Sequence, residues 1–92
     1  MLLICYDIAS DKVRTKLCKF LKKFGKHVQY SIFEVENTNR YLRLIENEID
    51  FKFKKLFTWS DTVVIYNISE PDKLKTKRYG WSVTEESDLV MF

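Results

Sequence analysis

The residue in this sequence best suited to chemistry is Asp7, a carboxylate that directly follows an apolar run. Residues 2–6 are Leu, Leu, Ile, Cys and Tyr, and a run without a polar face predicts a strand covered on both sides. Asp7 then stands at the carboxyl end of that strand, where α/β-type folds tend to place their chemistry. We interpret Asp7 as a catalytic or metal-binding group; the alternative is an aspartate that caps a turn.

A single aspartate is a poor site for Mg²⁺, so one chain would supply only half of the site. Mg²⁺ prefers oxygen ligands, usually one or two carboxylates together with waters and phosphates. Two copies of Asp7, brought together by a twofold axis, would supply both, and the metal would activate water against a phosphodiester bond. No Ser-His-Asp set, Gly-rich phosphate loop or zinc spacing competes with this interpretation. The lone His27 is predicted to be a surface or loop residue rather than a ligand.

Basic residues are concentrated in one part of the chain. There are 16 Lys and Arg against 13 Asp and Glu, a net charge of +3, but no acid lies between Asp11 and Glu34. The basic residues in that interval are Lys12, Arg14, Lys16, Lys19, Lys22, Lys23 and Lys26. Such one-sided basicity suits a polyanion, most simply a nucleic-acid backbone, and a solvated helix face is the alternative. Lys77 and Arg78 belong to a second basic segment and are further candidates for nucleic-acid contact.

Composition narrows the class of protein. With 92 residues, of which 46% are hydrophobic, we expect one globular domain over residues 1–92. Cys5 and Cys18 match no zinc or redox spacing, which predicts reduced thiols and a cytoplasmic location. No apolar run approaches the roughly 20 residues of a membrane helix, and residues 1–4 lack the basic start of a signal peptide. We therefore expect no membrane partner.

The first helix is predicted to position the basic residues. Ser10 or Asp11 can cap it, and its apolar residues recur at a spacing of 3.6. That stripe consists of Val13, Leu17, Phe20, Leu21 and Phe24. Gly25 is predicted to end the helix as a C-cap. Arg14 lies beside the stripe, where it can reach the Asp7 end of the strand or cover the edge of the core.

The remaining elements follow from similar patterns. Residues 27–36 are rich in strand formers, with a bend or tight hairpin near Tyr30-Ser31. Asn37 or Thr38 caps a second helix that ends within residues 51–57, and a strand over residues 62–68 follows. Glu70-Pro71-Asp72 is predicted to be a turn, and residues 74–81 hold a short edge strand. An apolar tail lies within residues 85–92.

This order of elements predicts an α+β fold, a ferredoxin-like βαββαβ sandwich with an extra C-terminal strand. Two helices cover only one face of a small sheet, yet the strands at residues 2–6 and 63–68 offer apolar side chains to both faces. We therefore expect a homodimer packed sheet to sheet around a twofold axis. The tail would extend a neighbour's sheet edge. Its interface residues are predicted to be Leu89, Val90, Met91 and Phe92.

Together these segments resemble the CRISPR-associated Cas2 family. The matching segments are Tyr6-Asp7-Ile8, Arg14, residues 21–25, Val28-Gln29-Tyr30-Ser31-Ile32-Phe33-Glu34, residues 62–66 and the apolar terminal strand. The resemblance implies a homodimer that holds Mg²⁺ between its paired Asp7 side chains, and functional roles for Tyr6, Arg14, Ser31 and Phe33. His27 stands where many members have a basic residue, so a phosphate contact there would depend on its protonation near neutral pH.

The resemblance also implies a function. Family members are subunits of CRISPR spacer acquisition that bridge two copies of the Cas1 integrase and hold duplex prespacer DNA on a basic surface. They are also described as metal-dependent endonucleases that cut RNA, single-stranded RNA included, or DNA. A VapD-like toxin ribonuclease, which shares the fold, and a purely non-catalytic DNA-binding scaffold are the alternatives that the sequence leaves open.

Overall fold

The computed structural model describes residues 1–82 and 90–91. Its elements are β1 Leu2–Asp7, α1 Asp11–Leu21, β2 Gly25–Gln29, β3 Ile32–Val35, α2 Asn39–Glu48, β4 Thr62–Asn67, α3 Glu70–Lys75, β5 Trp81–Ser82 and β6 Val90–Met91. After α2 the chain continues as one π-helical segment, Ile49–Phe53, and one 3₁₀ turn, Lys54–Leu56. This confirms the α+β class, the order of the elements through β4, and the predicted end of the second helix within residues 51–57.

Four strands form one antiparallel sheet in the order β2-β3-β1-β4. Strand β1 is central: Ile4 lies opposite Phe33 of β3 and opposite Ile65 of β4. The hairpin predicted at Tyr30-Ser31 is confirmed, because these two residues connect β2 to β3. A register shift between His27 and Gln29 leaves one extra residue in β2, which is a bulge.

The two faces of β1 have different surroundings. Leu2, Ile4 and Tyr6 are buried on the face that carries the core, where side chains of α1 and α2 pack. The core residues on this side include Val13, Leu17 and Leu21 of α1, Ile45 of α2 and Phe53 of the π-helical segment. The alternate residues of β1 belong to the opposite face, which we call the open face; its residues on β1 and β4 are Leu3, Cys5, Asp7, Thr62, Val64 and Tyr66. The predicted strands with two apolar faces and helices over one of them are confirmed.

The role predicted for Gly25 is wrong. Helix α1 ends at Leu21 and unwinds through tighter turns in which Lys23 N–H donates to the Phe20 carbonyl. Gly25 opens β2 instead, opposite Val35. A Cβ atom there would lie 2.1 Å from the Glu34 carbonyl oxygen, so glycine allows β2 to approach β3. Lys26 consequently lies on β2 and not on the helix face with the other lysines.

Residues 70–72 form the start of α3 rather than a turn. The Ser69 side chain accepts a hydrogen bond from the Asp72 N–H, and Pro71 lies in the first turn, where its missing N–H costs nothing. Glu70 and Asp72 also favour a helix N-terminus. The short edge strand predicted within residues 74–81 is reduced to β5.

The described part of the tail pairs within its own chain. Val90–Met91 is antiparallel to Trp81–Ser82, so one edge of β6 is paired within the chain. That β6 extends a neighbour's sheet through its other edge stays a prediction. Leu89 and Phe92, the other two predicted interface residues, lie outside the described residues. In the part of the chain that is described, no helix has the length and apolar character needed to cross a membrane.

Candidate functional site

Asp7 lies at the carboxyl end of β1 on the open face. It pairs in register with Thr62, the first residue of β4, and its side chain is exposed. Strand alternation directs Tyr6 into the core and Asp7 away from it. Among the described residues, none forms a hydrogen bond or ion pair with the Asp7 carboxylate, so both of its oxygens can accept a ligand.

Arg14 is positioned beside this strand end from the first turns of α1. Its Nη1 donates to the Ile8 carbonyl oxygen at 2.8 Å, and its Nη2 pairs with Asp11. The side chain is 40% exposed, and a guanidinium carries five N–H donors, so several remain for a phosphate. Of the two positions left open for Arg14, the structure shows the guanidinium bonded to the Ile8 carbonyl next to Asp7, while its functional role stays a prediction.

Ser31 is brought to the same place by the β2–β3 turn. Its carbonyl oxygen accepts a hydrogen bond from the Tyr6 N–H at 3.0 Å, and its side chain is exposed. Because β3 runs antiparallel to β1, the start of β3 meets the end of β1. Asp7, Arg14 and Ser31 therefore gather at one end of the sheet.

The Tyr6 side chain lies on the core face of the sheet, opposite to the face that carries Asp7, and its hydrogen bonds fix residues around the site. Its hydroxyl donates to the Tyr30 carbonyl at 3.1 Å and lies 2.9 Å from both His27 Nε2 and Cys18 Sγ. Because a carbonyl oxygen can only accept a hydrogen bond, the proton of the Tyr6 hydroxyl points towards the Tyr30 carbonyl oxygen. Burial raises the pKa of Tyr6 above its ordinary value, and the Cys18 hydrogen bond raises that pKa further. Only 4% of Tyr6 is exposed, so the catalytic role expected for it becomes a positioning role.

The expectations for Phe33 and His27 also need correction. Phe33 has no exposed surface and packs beside Tyr6 and His27, so it supports the core and cannot contact a substrate. His27 is half-buried in β2, with its ring 3.9 Å from that of Phe33, and not a surface or loop residue. Its Nε2 contacts Tyr6, so this ring nitrogen is not available to a phosphate in this position.

Two residues that the sequence did not single out complete this end of the sheet. Asp61 accepts hydrogen bonds from the Ala9 N–H at 3.0 Å and from the Thr58 N–H at 2.8 Å. The bond from Ala9, and then that from Thr58, lowers the pKa of the Asp61 carboxyl. Trp59 stands in the turn held by these bonds and is 98% exposed. The sequence contained a signal for the exposure of Trp59. The other residues of its turn, Thr58, Ser60 and Asp61, are polar, so the ring has no apolar neighbours there to pack against.

The lysines form an extended basic surface on α1. Lys12, Lys16 and Lys19 lie on the helix and are exposed, as are Lys22 and Lys23 in the following turns. The helix has one acid, Asp11, which is paired with Arg14. We call these five lysines the helix-one lysine face.

Of the other basic candidates, two remain exposed and one is engaged. Lys26 lies on β2 and Lys77 follows α3; both are exposed. Arg78 forms an ion pair with Glu34, Nη2 to Oε2 at 2.7 Å, and both side chains are mostly buried. Arg78 therefore holds the segment after α3 on the open face beside β3, and the nucleic-acid contact predicted for it is not supported.

Three carboxylates lie near the carboxyl end of β1, and they differ in their hydrogen-bond and ion-pair partners. Asp11 is paired with Arg14, and Asp61 is bound to two backbone N–H groups. Asp7 is the remaining one with free oxygens among the described residues. Within residues 1–82 and 90–91, no three His, Cys, Asp or Glu side chains are grouped as metal ligands. The described part of the chain thus offers one carboxylate with free oxygens at this end of the sheet.

Comparison with known proteins points to one family. The family model of CRISPR associated protein Cas2 matches residues 1–76. The chain is 39% identical over 91 residues to CRISPR-associated endoribonuclease Cas2 2 of Methanospirillum hungatei, covering 98% of this chain and 97% of that protein. It is 53% identical over 79 residues to CRISPR-associated endoribonuclease Cas2 2 of Synechocystis sp., covering 85% and 82%. A solved structure of a hypothetical protein from Thermus thermophilus is similar, with a TM-score of 0.62, 30% identity, and coverage of 74% of this chain and 79% of that one.

Proposed function

The chain belongs to the CRISPR-associated Cas2 family, and from this premise we propose that it is a homodimeric nucleic-acid-binding subunit of spacer acquisition with a metal-dependent endonuclease site at Asp7. Its relatives from Methanospirillum hungatei and Synechocystis are named endoribonucleases. The proposal assigns binding to the helix-one lysine face and cleavage to the Asp7 end of β1. The family match favours this assignment over a VapD-like toxin ribonuclease.

The observation that carries the proposal is that Asp7 shares the open face with apolar side chains that the core does not cover. Val64 and Tyr66 are 43% and 52% exposed there, beside the half-buried Leu3 and Cys5. Water contact of this apolar area is unfavourable, and a second copy packed on it would remove that contact. Facing copies would bring one Asp7 from each chain towards the other.

A divalent metal fits this pair of groups. The exposed carboxylate of each Asp7 offers hard oxygen donors without competing protein partners, which suits Mg²⁺ and its preference for one or two carboxylates with waters. The two Asp7 side chains, one from each protomer, would hold it. When bound, the metal would supply an activated water and offset charge on the phosphodiester group.

The other residues at this end orient the nucleic acid. Arg14 can direct its remaining N–H donors at a phosphate next to Asp7, and it already braces the Ile8 carbonyl one residue further along. The exposed Ser31 hydroxyl offers one more donor. The helix-one lysine face would attract the backbone without reading the bases. The Cas1 integrase would engage this dimer with duplex prespacer DNA bound.

A non-catalytic scaffold is the second candidate, and one feature of the site favours it. Efficient hydrolysis uses a general base or acid with a pKa near the working pH. At the Asp7 end of β1, the Tyr6 hydroxyl is buried with a raised pKa, and Asp61 has a lowered pKa. Among the described residues, neither group is suited to proton transfer at neutral pH, so binding would be the dominant task and cleavage a slow one.

Replacing Asp7 by Asn tests both candidates. We expect metal-dependent cleavage of RNA and DNA to fall by orders of magnitude, because each 1.4 kcal/mol of lost transition-state stabilisation costs about tenfold in rate, while binding to duplex DNA is retained. Asp50→Asn, at another exposed carboxylate, is the matched control. Undiminished cleavage would place the active site elsewhere. Spacer acquisition with Cas1 that survives the loss of cleavage would establish the scaffold.

A further inference from the structure

Two aromatic rings at the Asp7 end of the sheet have no place in the core. Tyr30 is 88% exposed and Trp59 is 98% exposed. A tryptophan is usually highly buried on average, and neither ring has a ring–ring contact among the described residues. Protein packing therefore does not explain why aromatic residues occupy these two positions.

The sheet places the loops that carry the two rings on opposite sides of the β1 end that carries Asp7. Tyr30 belongs to the turn that leads into β3, and Trp59 belongs to the loop that leads into β4. Strand β1 runs between β3 and β4, and both of these strands begin where β1 ends. Since neighbouring strands lie about 4.8 Å apart, the two loops are separated by roughly 10 Å with Asp7 between them.

Both loops are fixed to the end of β1 by hydrogen bonds. The Tyr30 carbonyl accepts from the Tyr6 hydroxyl, and the next carbonyl accepts from the Tyr6 N–H. The Trp59 turn is held by Asp61, which bonds to the Ala9 N–H and the Thr58 N–H. The Asp61 N–H also donates to the Thr58 carbonyl at 3.1 Å. Two exposed rings on anchored backbone lose little freedom on binding a flat partner.

Positive charge accompanies the tryptophan. Lys54 and Lys55 are exposed in the 3₁₀ turn just before it, and neither forms an ion pair with another described residue. Basic side chains next to exposed aromatic rings are typical of proteins that bind single strands, where rings stack on bases and cations follow the phosphates.

We propose that Tyr30 and Trp59 stack on unpaired bases of the strand whose phosphates lie at Asp7. These two rings would then be the groups by which the site prefers an unpaired strand, such as the single-stranded RNA that the family resemblance implies. A continuous helix is excluded from stacking because its bases already stack on each other. This inference rests on the proposed function, since it requires a nucleic acid at Asp7.

The test measures binding of Trp59→Ala and Tyr30→Ala to two labelled probes of equal length, oligo(dT) and its abasic counterpart. The abasic strand keeps the phosphates and lacks the bases. Stacking is worth about 1–3 kcal/mol per base, so each variant should bind oligo(dT) about fivefold to about 150-fold more weakly and the abasic strand as tightly as wild type. Trp59→Phe and Tyr30→Phe keep a ring and should retain most of the affinity.

Tyr79→Ala is the matched control, because Tyr79 is 84% exposed and its neighbour Arg78 contacts Met1 and Glu34, away from Asp7. It should bind both probes like wild type. Equal losses on both probes for Trp59→Ala and Tyr30→Ala, or no loss on either, would overturn the stacking proposal while wild-type binding upholds the nucleic-acid function. Absence of wild-type binding to either strand and to duplex DNA would overturn both. Light scattering of each variant would show whether a loss follows from a changed oligomeric state, which would also overturn it.

Discussion

The two faces of β1 have opposite surroundings, although they are built from alternate residues of one short segment. Leu2, Ile4 and Tyr6 are buried beneath α1 and α2. Leu3 and Cys5, between them, are half-buried on the open face, and Asp7 is exposed. Burial also raises the pKa of the Cys5 thiol, so that it is a neutral group in an apolar surface.

The covered face of β1 therefore serves the stability of the fold, and the open face is available for function. The covered face supplies apolar contacts that hold the chain together, and the Tyr6 hydroxyl on this face contacts the Tyr30 carbonyl of the β2–β3 turn, His27 of β2 and Cys18 of α1. The open face carries the exposed apolar side chains of Val64 and Tyr66 and ends in the Asp7 carboxylate, which has no partner among the described residues. A strand with period-2 alternation can thus serve a core on one side and leave the other side available for binding.

The largest expected effect comes from a charge placed on the open face. Val64→Asp should weaken the homodimer by at least about a hundredfold, because an uncompensated buried charge costs about 3–5 kcal/mol. Sedimentation equilibrium of wild type and variant would measure it. Leu74→Asp, at an exposed position of α3, is the control and should leave the dimer intact. An unchanged dimer in Val64→Asp would show that this face is not the interface.

A pair of truncations should separate the two faces. Ile4→Ala, at a position with no exposed surface, should lower the free energy of unfolding by about 2–5 kcal/mol at every protein concentration. Leu3→Ala should have a smaller effect that grows with protein concentration, because it acts through the dimer. Urea denaturation at several concentrations would measure both. Equal, concentration-independent losses would contradict the assignment of the faces.

The helix-one lysine face should act through charge alone. Replacing Lys19, Lys22 and Lys23 by Ala should reduce the slope of log affinity against log salt for duplex DNA, by up to about 0.9 per lost phosphate contact. A variant with Lys73 and Lys75 replaced, both exposed on α3, is the control. If the salt slope stayed at the wild-type value when Lys19, Lys22 and Lys23 are replaced, and fell when Lys73 and Lys75 are replaced, the binding surface would lie on α3 instead.

The smallest effect concerns the loop that carries Trp59. The pKa of Asp61 is lowered in the folded state, so the carboxylate contributes fully above its unfolded pKa of about 3.9, and its contribution is lost as pH falls through the lower folded pKa. Protection of the Ala9 and Thr58 amides against hydrogen exchange should fall in that acid range. Asp61→Ala should abolish this protection at every pH, and a pH-dependent protection retained in that variant would contradict the role of Asp61.

Much of the fold could be predicted because its signals are local. The stripe of α1, the hairpin at Tyr30-Ser31 and the apolar strands depend on residues a few positions apart. The prediction for Gly25 is wrong because the sequence does not distinguish two uses of glycine. One glycine ends a helix, and another allows a neighbouring strand to approach. They are distinguished by the neighbouring strand, because the Glu34 carbonyl leaves no room for a Cβ atom at Gly25.

The site could be predicted in part. Asp7 follows from its place after a strand, and Arg14 from helix geometry. The contact of Asp61 with Ala9 joins residues 52 positions apart, which no local pattern shows. Phe33 and His27 were placed at the site by resemblance, whereas the strand register directs their side chains into the covered face.

The shared metal between two open faces is tested most directly by titration calorimetry with Mn²⁺ as a magnesium substitute, which measures the number of ions bound per chain. We expect one ion for two wild-type chains, and no binding by Asp7→Asn under the same conditions while the dimer persists. One ion per chain, or a stoichiometry unchanged in Asp7→Asn, would show that the two chains do not share a metal at Asp7.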